Sequence, residues 1–139
     1  MRIVLLSDIF YDHYGNYPEI LSRPERPYAC LTVKVDGLIF AIPFRHHINH
    51  KFAYITYGQC GLDFSKAVII SDDSYIAGEA IVDRKEWDII NRNEHIIVYR
   101  FKQYISQYKR AARRRDNPHS MRYLRYSSLQ YFEQELGIE

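Results

Sequence analysis

Cysteines, linker sequences and long apolar runs are all scarce in this chain of 139 residues. Its two cysteines, Cys30 and Cys60, have neither the spacing of a zinc site nor that of a redox pair, so we expect two reduced thiols. No apolar run approaches membrane-spanning length, and Asp8 ends the apolar start before it is long enough for a signal peptide. These absences predict a cytoplasmic protein.

No internal repeat, low-complexity tract or Gly/Ser-rich linker divides the sequence, so nothing marks the boundary of a second domain. The length is that of one compact domain. A hydrophobic fraction of 47 %, with thirteen tyrosines, is sufficient to build a core. We therefore predict a single domain over residues 1–139.

Acidic residues are missing from two stretches of the sequence. None lies between Leu38 and Tyr57, which counts against a metal-dependent nuclease because such an enzyme needs carboxylates to hold magnesium. None lies between Arg100 and Arg115 either, and seven cations there should give one end of one element a strong positive field. The formal net charge of +2 is ordinary, so the distribution of charge is more informative than its sum.

Apolar runs and turn signals predict an α+β fold: a compact single domain with a curved antiparallel sheet packed by helices. Asp36-Gly37 joins two apolar runs and is the strongest short-range signal for a tight β-hairpin. Pro24 and Pro27 should keep the segment that leads into this hairpin extended. Strands are predicted at residues 2–6, 28–35, 38–44, 52–56 and 66–71.

Helices are predicted where apolar residues recur every three or four positions. Ser7 can cap the first helix, Asp83 a later one, and Ser127 or Ser128 the last, which Gly137 should end. Helices are predicted at residues 8–14, 83–91, 93–113 and about 128–136, with one helical turn at 19–22 and an exposed loop at 114–126.

The segment 44–51 concentrates three of the six histidines with two permanent cations, Arg45 and Lys51. Histidine can give or take a proton near neutral pH, and cations can hold the charge that develops on a phosphorane. Because RNA carries its own nucleophile in the 2′-hydroxyl, this cluster indicates RNA cleavage without a metal or other cofactor.

Two other interpretations of this segment stay open. The spacing of His46 and His50, or of His47 and His50, would present two imidazoles to zinc on a helix, although Pro43 and the lack of a carboxylate or cysteine partner oppose this. The segment could also be a solvated loop without chemistry, which we rank below the RNA site.

The end of the predicted long helix carries five cations in seven positions. Basic residues near a helix C-terminus complement the helix dipole and often do nothing more. This density exceeds what capping requires, so we predict contact with an RNA backbone. The predicted contact residues are Lys109, Arg110, Arg113 and Arg114.

Several motifs, taken in their order and spacing, resemble the toxins of type III toxin–antitoxin systems, in particular the TenpIN group and its relatives ToxN, CptN and AbiQ. The likeness runs from Met1 to about Leu136. The motifs are Arg26-Pro27-Tyr28, the turn at Asp36-Gly37, Ala41-Ile42-Pro43-Phe44-Arg45, Gly61-Leu62-Asp63-Phe64-Ser65-Lys66 and Tyr126-Ser127-Ser128-Leu129-Gln130-Tyr131-Phe132.

This resemblance implies a metal-independent endoribonuclease, similar in fold to ToxN and to the MazF and Kid toxins, that leaves a 2′,3′-cyclic phosphate. It implies cellular mRNA as substrate. It also implies a partner, a small structured antitoxin RNA, often a pseudoknot, which the toxin cuts from tandem repeats and which then inhibits it in a closed toxin–RNA assembly. Growth arrest or abortion of phage infection would follow loss of that RNA.

The sequence departs from the ToxN branch at the predicted active site. There a strand ending in proline runs into Thr-Ser-Pro-Lys, whose hydroxyls and lysine serve the active site, whereas Phe44-Arg45-His46-His47 follows Pro43 here. We assign roles by residue type instead. His47 and His50 are the predicted general base and general acid, in either order, and His46 is a third candidate.

Arg45 and Lys51 are predicted to hold the phosphorane. Arg26 and Tyr28 resemble the basic and aromatic positions that line the RNA groove in the family, and Ser65 and Lys66 are expected to face the same groove. The alternative from another class is a non-catalytic RNA-binding protein or translational regulator, for which the histidines would be incidental. A structural or protein-binding module would need an exposed apolar patch, which the sequence does not identify.

Overall fold

The computed structural model describes residues 1–22 and 28–138. Within these ranges the strands are β1 (Ile3–Leu6), β2 (Ala29–Val35), β3 (Leu38–Arg45), β4 (Ala53–Tyr57), β5 (Cys60–Asp63), β6 (Val68–Ile69) and β7 (Ile76–Glu79). The α-helices are α1 (Asp8–Tyr14), α2 (Arg84–Arg92), α3 (Glu94–Ala112) and α4 (Met121–Leu124). Short 3₁₀ turns span Phe64–Lys66, Asp73–Tyr75, Pro118–Ser120 and Ser128–Tyr131.

The strands form one open antiparallel sheet in the order β4-β5-β3-β2-β1-β7, and β6 also pairs with β3. Together with the helices packed on it, this sheet makes a compact α+β domain. The predicted fold class and the antiparallel sheet are therefore confirmed. Across the described residues, no helix has both the length and the apolar character needed to cross a membrane.

The β2–β3 hairpin forms around the predicted turn. Asp36 and Gly37 both have positive φ angles, 52° and 82°, as a two-residue turn of this kind requires at both positions. The strands then pair through six residue pairs, from Val35 opposite Leu38 to Cys30 opposite Pro43. Past that last pair, β3 continues to Arg45, so the hairpin carries this residue to the edge where β5 begins to pair.

Gly61 lets β5 pack closely between β3 and β4. It lies opposite Arg45 on β3 and opposite Ile55 on β4. A Cβ atom at position 61 would come within 2.1 Å of the backbone oxygen of Tyr54. Only glycine fits here, and the fit holds the end of β3 close to Asp63, the last residue of β5.

The core lies between the sheet and α3, as the apolar spacing of the long helix predicts. The ring of Phe101 packs edge-on to Phe40 of β3 at 5.1 Å and contacts Phe64 at 5.3 Å. The predicted inward-facing residues of α3 are all buried, namely Ile97, Phe101, Tyr104, Ile105 and Tyr108.

The predicted caps give a mixed outcome. Ser7 accepts a hydrogen bond from the Phe10 N–H and caps α1, as predicted. Asp83 does precede α2, but its side chain makes no capping hydrogen bond. Ser127 accepts from the Leu129 N–H, yet the element it caps is a 3₁₀ turn followed by further turns rather than an α-helix. The residues expected to face inward there, Leu129, Phe132 and Leu136, are buried.

Three further predicted elements are wrong in extent or type. Residues 19–22 do not form a helical turn, and the strand predicted at 66–71 shrinks to β6 because Phe64–Lys66 forms a 3₁₀ turn. The predicted loop at 114–126 contains Pro118–Ser120 and α4, and it buries Leu124 in the core. Strands β5 and β7 were not predicted, since both are short and contain glycine. The segment of Pro24 and Pro27 lies outside the described residues.

Candidate functional site

Asp63 is the buried centre of the candidate site. Its Oδ1 accepts hydrogen bonds from the Ser65 N–H at 3.0 Å and the Ser65 hydroxyl at 2.5 Å. Its Oδ2 accepts from Arg45 Nη1 at 2.8 Å and lies 3.3 Å from His50 Nε2. Burial raises the pKa of Asp63, but the hydrogen bonds from His50, Ser65 and Arg45 outweigh it and bring the pKa below its ordinary value. The carboxylate is therefore a fixed negative charge that holds three neighbouring side chains.

His50 is held in one tautomer by its two contacts. The backbone N–H of Phe52 donates to Nδ1 at 3.1 Å, so Nδ1 carries the lone pair. The ring proton then lies on Nε2, where it can be donated to Asp63. Both ring nitrogens are thus engaged within the protein, Nε2 by the carboxylate and Nδ1 by the backbone. His50 has the arrangement of a general base once a substrate hydroxyl replaces the Phe52 N–H at Nδ1.

A cavity of about 240 Å³ opens beside these groups, and we call it the Lys66 cavity. It brings together four predicted site residues that span 21 positions of the sequence, namely Arg45, His50, Ser65 and Lys66. It is lined by Arg45, His50, Phe52, Ser65, Lys66, Tyr104, Arg122, Tyr123, Tyr126 and Ser127.

Lys66 lies at the end of the 3₁₀ turn that Asp63 caps, and its side chain is half-buried. Its Nζ donates to the backbone oxygen of Tyr126 at 2.6 Å. Burial lowers the pKa of Lys66, and the positive charge of Arg45 adds to this against the opposing charge of Asp63. The ammonium group can therefore give up a proton more easily than an exposed lysine.

The C-terminal segment closes the back of the Lys66 cavity. The Ser128 hydroxyl is shared between the carbonyl oxygens of Ser65 and Ala67. The Tyr104 hydroxyl donates to Ser127 Oγ at 2.8 Å. These buried bonds tie the segment from Ser127 onward to α3 and to the turn that carries Lys66.

A second cavity of about 660 Å³ is also lined by Arg45, and we call it the His47 cavity. His46 and His47 are exposed at its wall, and His47 has a positive φ of 58°, which turns the chain away from β3. His46 Nδ1 lies 3.0 Å from the Cys60 sulfur. The cavity is lined by Tyr28, Ala29, Phe44, Arg45, His46, His47, Tyr57, Ile81, Val82, Asp83 and Glu86.

The structure does not bring His47 and His50 to one site. His50 lines the Lys66 cavity and His47 the other, so the acid–base pair predicted from the sequence is not assembled in either one. Lys51 is exposed, with its ammonium 5.7 Å from the centre of the Phe52 ring, and it lines neither cavity. Tyr28 lines the His47 cavity, and Arg26 lies outside the described residues.

The predicted basic surface forms a third feature near the end of α3. Arg110 and Arg114 line a groove of about 230 Å³, which we call the basic groove. Tyr123 lines both this groove and the Lys66 cavity, so the two are adjacent. Arg113 is exposed nearby and Lys109 is half-buried on the same helical turn.

Sequence reasoning missed Asp63 and most of the wall supplied by residues 122–127. The signal was present, since Asp63 and Tyr126 both stand in the motifs that carry the family resemblance. Asp63 falls in a predicted loop because the sequence pattern does not predict β5. Arg122 and Tyr123 fall in a predicted exposed loop, whereas this segment folds back as α4.

Among the described residues, no group of three histidine, cysteine, aspartate or glutamate side chains is placed to hold a metal ion. No protein-family model matches this chain, and neither a curated protein nor a solved structure does.

Proposed function

We propose that this protein is a metal-independent endoribonuclease and that it cuts RNA in the Lys66 cavity. The observation that supports this most is the convergence of Arg45, His50, Ser65 and Lys66 on a cavity wall built around the ionised Asp63. A proton acceptor, two cations and a buried carboxylate that orients His50 and Arg45 suit cleavage through a 2′-hydroxyl.

His50 is the general base of the proposed reaction. Its Nδ1 takes the proton of the 2′-hydroxyl while Asp63 holds Nε2–H and stabilises the imidazolium that forms. The bound hydroxyl takes the place that the Phe52 N–H occupies at Nδ1. Proton transfer of this kind contributes about 10²- to 10⁴-fold to a rate.

Lys66 is the general acid, in the role that the sequence suggested for the second histidine. As the 2′-oxygen bonds to phosphorus, the bond from phosphorus to the 5′-oxygen breaks, and Lys66 gives that oxygen a proton. Its lowered pKa favours this step. The products are a 2′,3′-cyclic phosphate and a 5′-hydroxyl, and no water is consumed.

Arg45 stabilises the phosphorane. Its Nη1 is held by Asp63, which leaves the other N–H groups of the guanidinium to a phosphate at the junction of the two cavities. Because the guanidinium is fixed before the substrate arrives, little reorganisation is needed when negative charge develops.

The basic groove supports binding of an extended RNA strand next to this cavity. With the family resemblance, this leads us to propose a toxin of the type III toxin–antitoxin class that acts in the cytoplasm on cellular mRNA. Its antitoxin would be a small structured RNA that the toxin processes and that inhibits it in a closed toxin–RNA assembly.

The test is incubation of the purified protein, freed of RNA, with labelled RNA in excess EDTA. We expect fragments ending in 2′,3′-cyclic phosphate, and no cut where a 2′-deoxynucleotide replaces the nucleotide at the cleavage site. RNA that is bound but stays intact would overturn the proposal in favour of a non-catalytic RNA-binding protein.

A further inference from the structure

The proposed cleavage uses only one of the two cavities that Arg45 lines. The unused His47 cavity, at about 660 Å³, is within the size range of small-molecule sites and large enough for a nucleotide. Its wall combines the rings of Tyr28, Phe44 and Tyr57 with the carboxylates of Asp83 and Glu86. Aromatic rings can stack on any base, whereas carboxylates accept hydrogen bonds only from some.

Glu86 is the most informative residue of this wall. It lies in the first turn of α2, only 6 % exposed, and its Oε2 accepts a hydrogen bond from the Thr56 hydroxyl at 2.8 Å. Its other oxygen has no hydrogen-bond partner among the described residues, and no cation described in the structure pairs with it. This second oxygen is not one of the fully buried polar atoms, so it keeps contact with solvent. It can therefore accept an N–H donor from a ligand while Oε2 keeps its bond to Thr56.

Arg45 fixes where such a ligand would lie. Because Arg45 lines both cavities, we place a phosphate bound by its guanidinium where they meet, and a base in the His47 cavity then belongs to a nucleotide next to the cleaved bond. The neighbouring acid, Asp83, accepts from the Tyr57 hydroxyl at 3.4 Å, which places a second carboxylate beside an aromatic ring.

We propose that the His47 cavity binds a nucleobase and selects one that carries an exocyclic amino group, through a hydrogen bond to Glu86. Adenine, cytosine and guanine all offer such an amino group, whereas uracil has none and offers a single ring N–H between two carbonyl oxygens that a carboxylate repels. This inference rests on the proposed function, because it assigns the cavity to the RNA substrate.

The first experiment measures binding of AMP, CMP, GMP and UMP by NMR titration of the protein. We expect UMP to bind at least about tenfold more weakly than the best of the other three. Equal binding of UMP, or no binding of any of the four at millimolar concentration, would overturn the inference. This readout does not depend on cleavage, so a protein that prefers amino-bearing bases but cuts no RNA would contradict the proposed function alone.

The variant Glu86→Gln tests the residue. The amide oxygen can still accept from Thr56, so the fold should be kept, while the amide also offers a donor to uracil. We expect its preference against UMP to fall to about twofold or less. Glu79→Gln, an exposed change on β7, should keep the full preference. An unaltered preference in folded Glu86→Gln would overturn the inference, and if that variant does not fold, the nucleotide titration of the parent protein decides it.

Discussion

The two cavities that share Arg45 differ in how their polar side chains are held. In the Lys66 cavity, side chains hold one another around a buried carboxylate, with His50, Ser65 and Arg45 all in contact with Asp63. In the His47 cavity, the histidines are exposed and Glu86 keeps one oxygen without a described partner. Chemistry that needs fixed groups fits the first cavity, and recognition of a ligand's donors fits the second.

The backbone explains why neighbouring histidines reach different cavities. β3 ends at Arg45, and the left-handed conformation of His47 redirects the chain. Ile48 then anchors the loop, since its side chain is buried and its N–H donates to the Gln59 oxygen at 2.9 Å. This brings His50 to Asp63 at the end of β5. His50 therefore lines a different cavity from His47, although only three positions separate them in the sequence.

The largest expected effect is a difference in cleavage rate between variants of Lys66, which is held in its cavity, and variants of the exposed Lys51. Lys66→Met removes the proposed general acid and a cation near the phosphate, so we expect single-turnover cleavage in EDTA to slow by about 10²- to 10⁴-fold. Lys51→Met should slow it by less than about tenfold, because this side chain lines neither cavity. Lys102→Met, exposed on α3, is the control and should match the parent. Slower cleavage by Lys51→Met than by Lys66→Met would contradict the assignment of the chemistry to the Lys66 cavity.

Asp63→Asn should reveal the stabilisation that the buried carboxylate provides. The pKa of Asp63 is lowered in the folded protein, so its contribution is fully present above the unfolded value of about 3.9 and is lost as pH falls below it. We expect Asp63→Asn to lower the free energy of unfolding by about 2–4 kcal/mol at pH 7.

Urea unfolding of the parent and Asp63→Asn between pH 7 and pH 3 is the measurement. The gap between the two proteins should narrow below about pH 4, because the carboxylate of the unfolded parent becomes protonated there while that of the folded parent stays ionised. Asp83→Asn, at an exposed carboxylate of the other cavity, should change the free energy of unfolding by less than about 0.5 kcal/mol. A gap that stays constant to pH 3 would show that the charge of Asp63 is not what stabilises the site.

The basic groove should affect affinity without affecting chemistry. The double variant Arg110→Ala and Arg114→Ala is expected to weaken RNA binding and to reduce the slope of log affinity against log salt by about 0.7 for each phosphate that is no longer neutralised. Arg92→Ala, exposed on α2, is the matched control. Binding isotherms at several salt concentrations test this, and a slower cleavage rate at saturating RNA would contradict the assignment.

The smallest expected effect is a difference in alkylation between the two thiols, since Cys30 is buried and Cys60 is partly accessible. Cys30 is buried, which raises its pKa to about 12, whereas Cys60 is half-exposed beside His46. Because the thiolate is the reactive form, we expect one thiol to be alkylated in the folded protein at neutral pH, and both after unfolding. Mass spectrometry of the labelled peptides identifies the residue, and labelling of Cys30 in the folded protein would contradict the burial assigned to it.

Long elements with a strong local signal could be predicted from the sequence. The hairpin has Asp36-Gly37 at its turn, and α3 repeats its apolar residues over five turns, so local chemistry and tertiary packing agree there. Strand β5 could not be predicted, because its glycine is required by close packing between two neighbours rather than by a turn.

The candidate site was predictable in its residue types but not in its grouping. Arg45, His50, Ser65 and Lys66 were all singled out from the sequence. Their centre, Asp63, depends on pairing between β3 and β5, which no local pattern specifies. The separation of His47 from His50 likewise depends on one left-handed residue and one buried isoleucine.

Comparison of His50→Gln with His47→Gln tests most directly that the chemistry belongs to the Lys66 cavity. We would measure the single-turnover rate of RNA cleavage in EDTA for both, with His95→Gln on the exposed face of α3 as a control that should match the parent. A rate about 10²-fold or more below the parent for His50→Gln, with less than about a tenfold loss for His47→Gln, is the predicted result. Full activity in His50→Gln, or a greater loss in His47→Gln, would contradict the account.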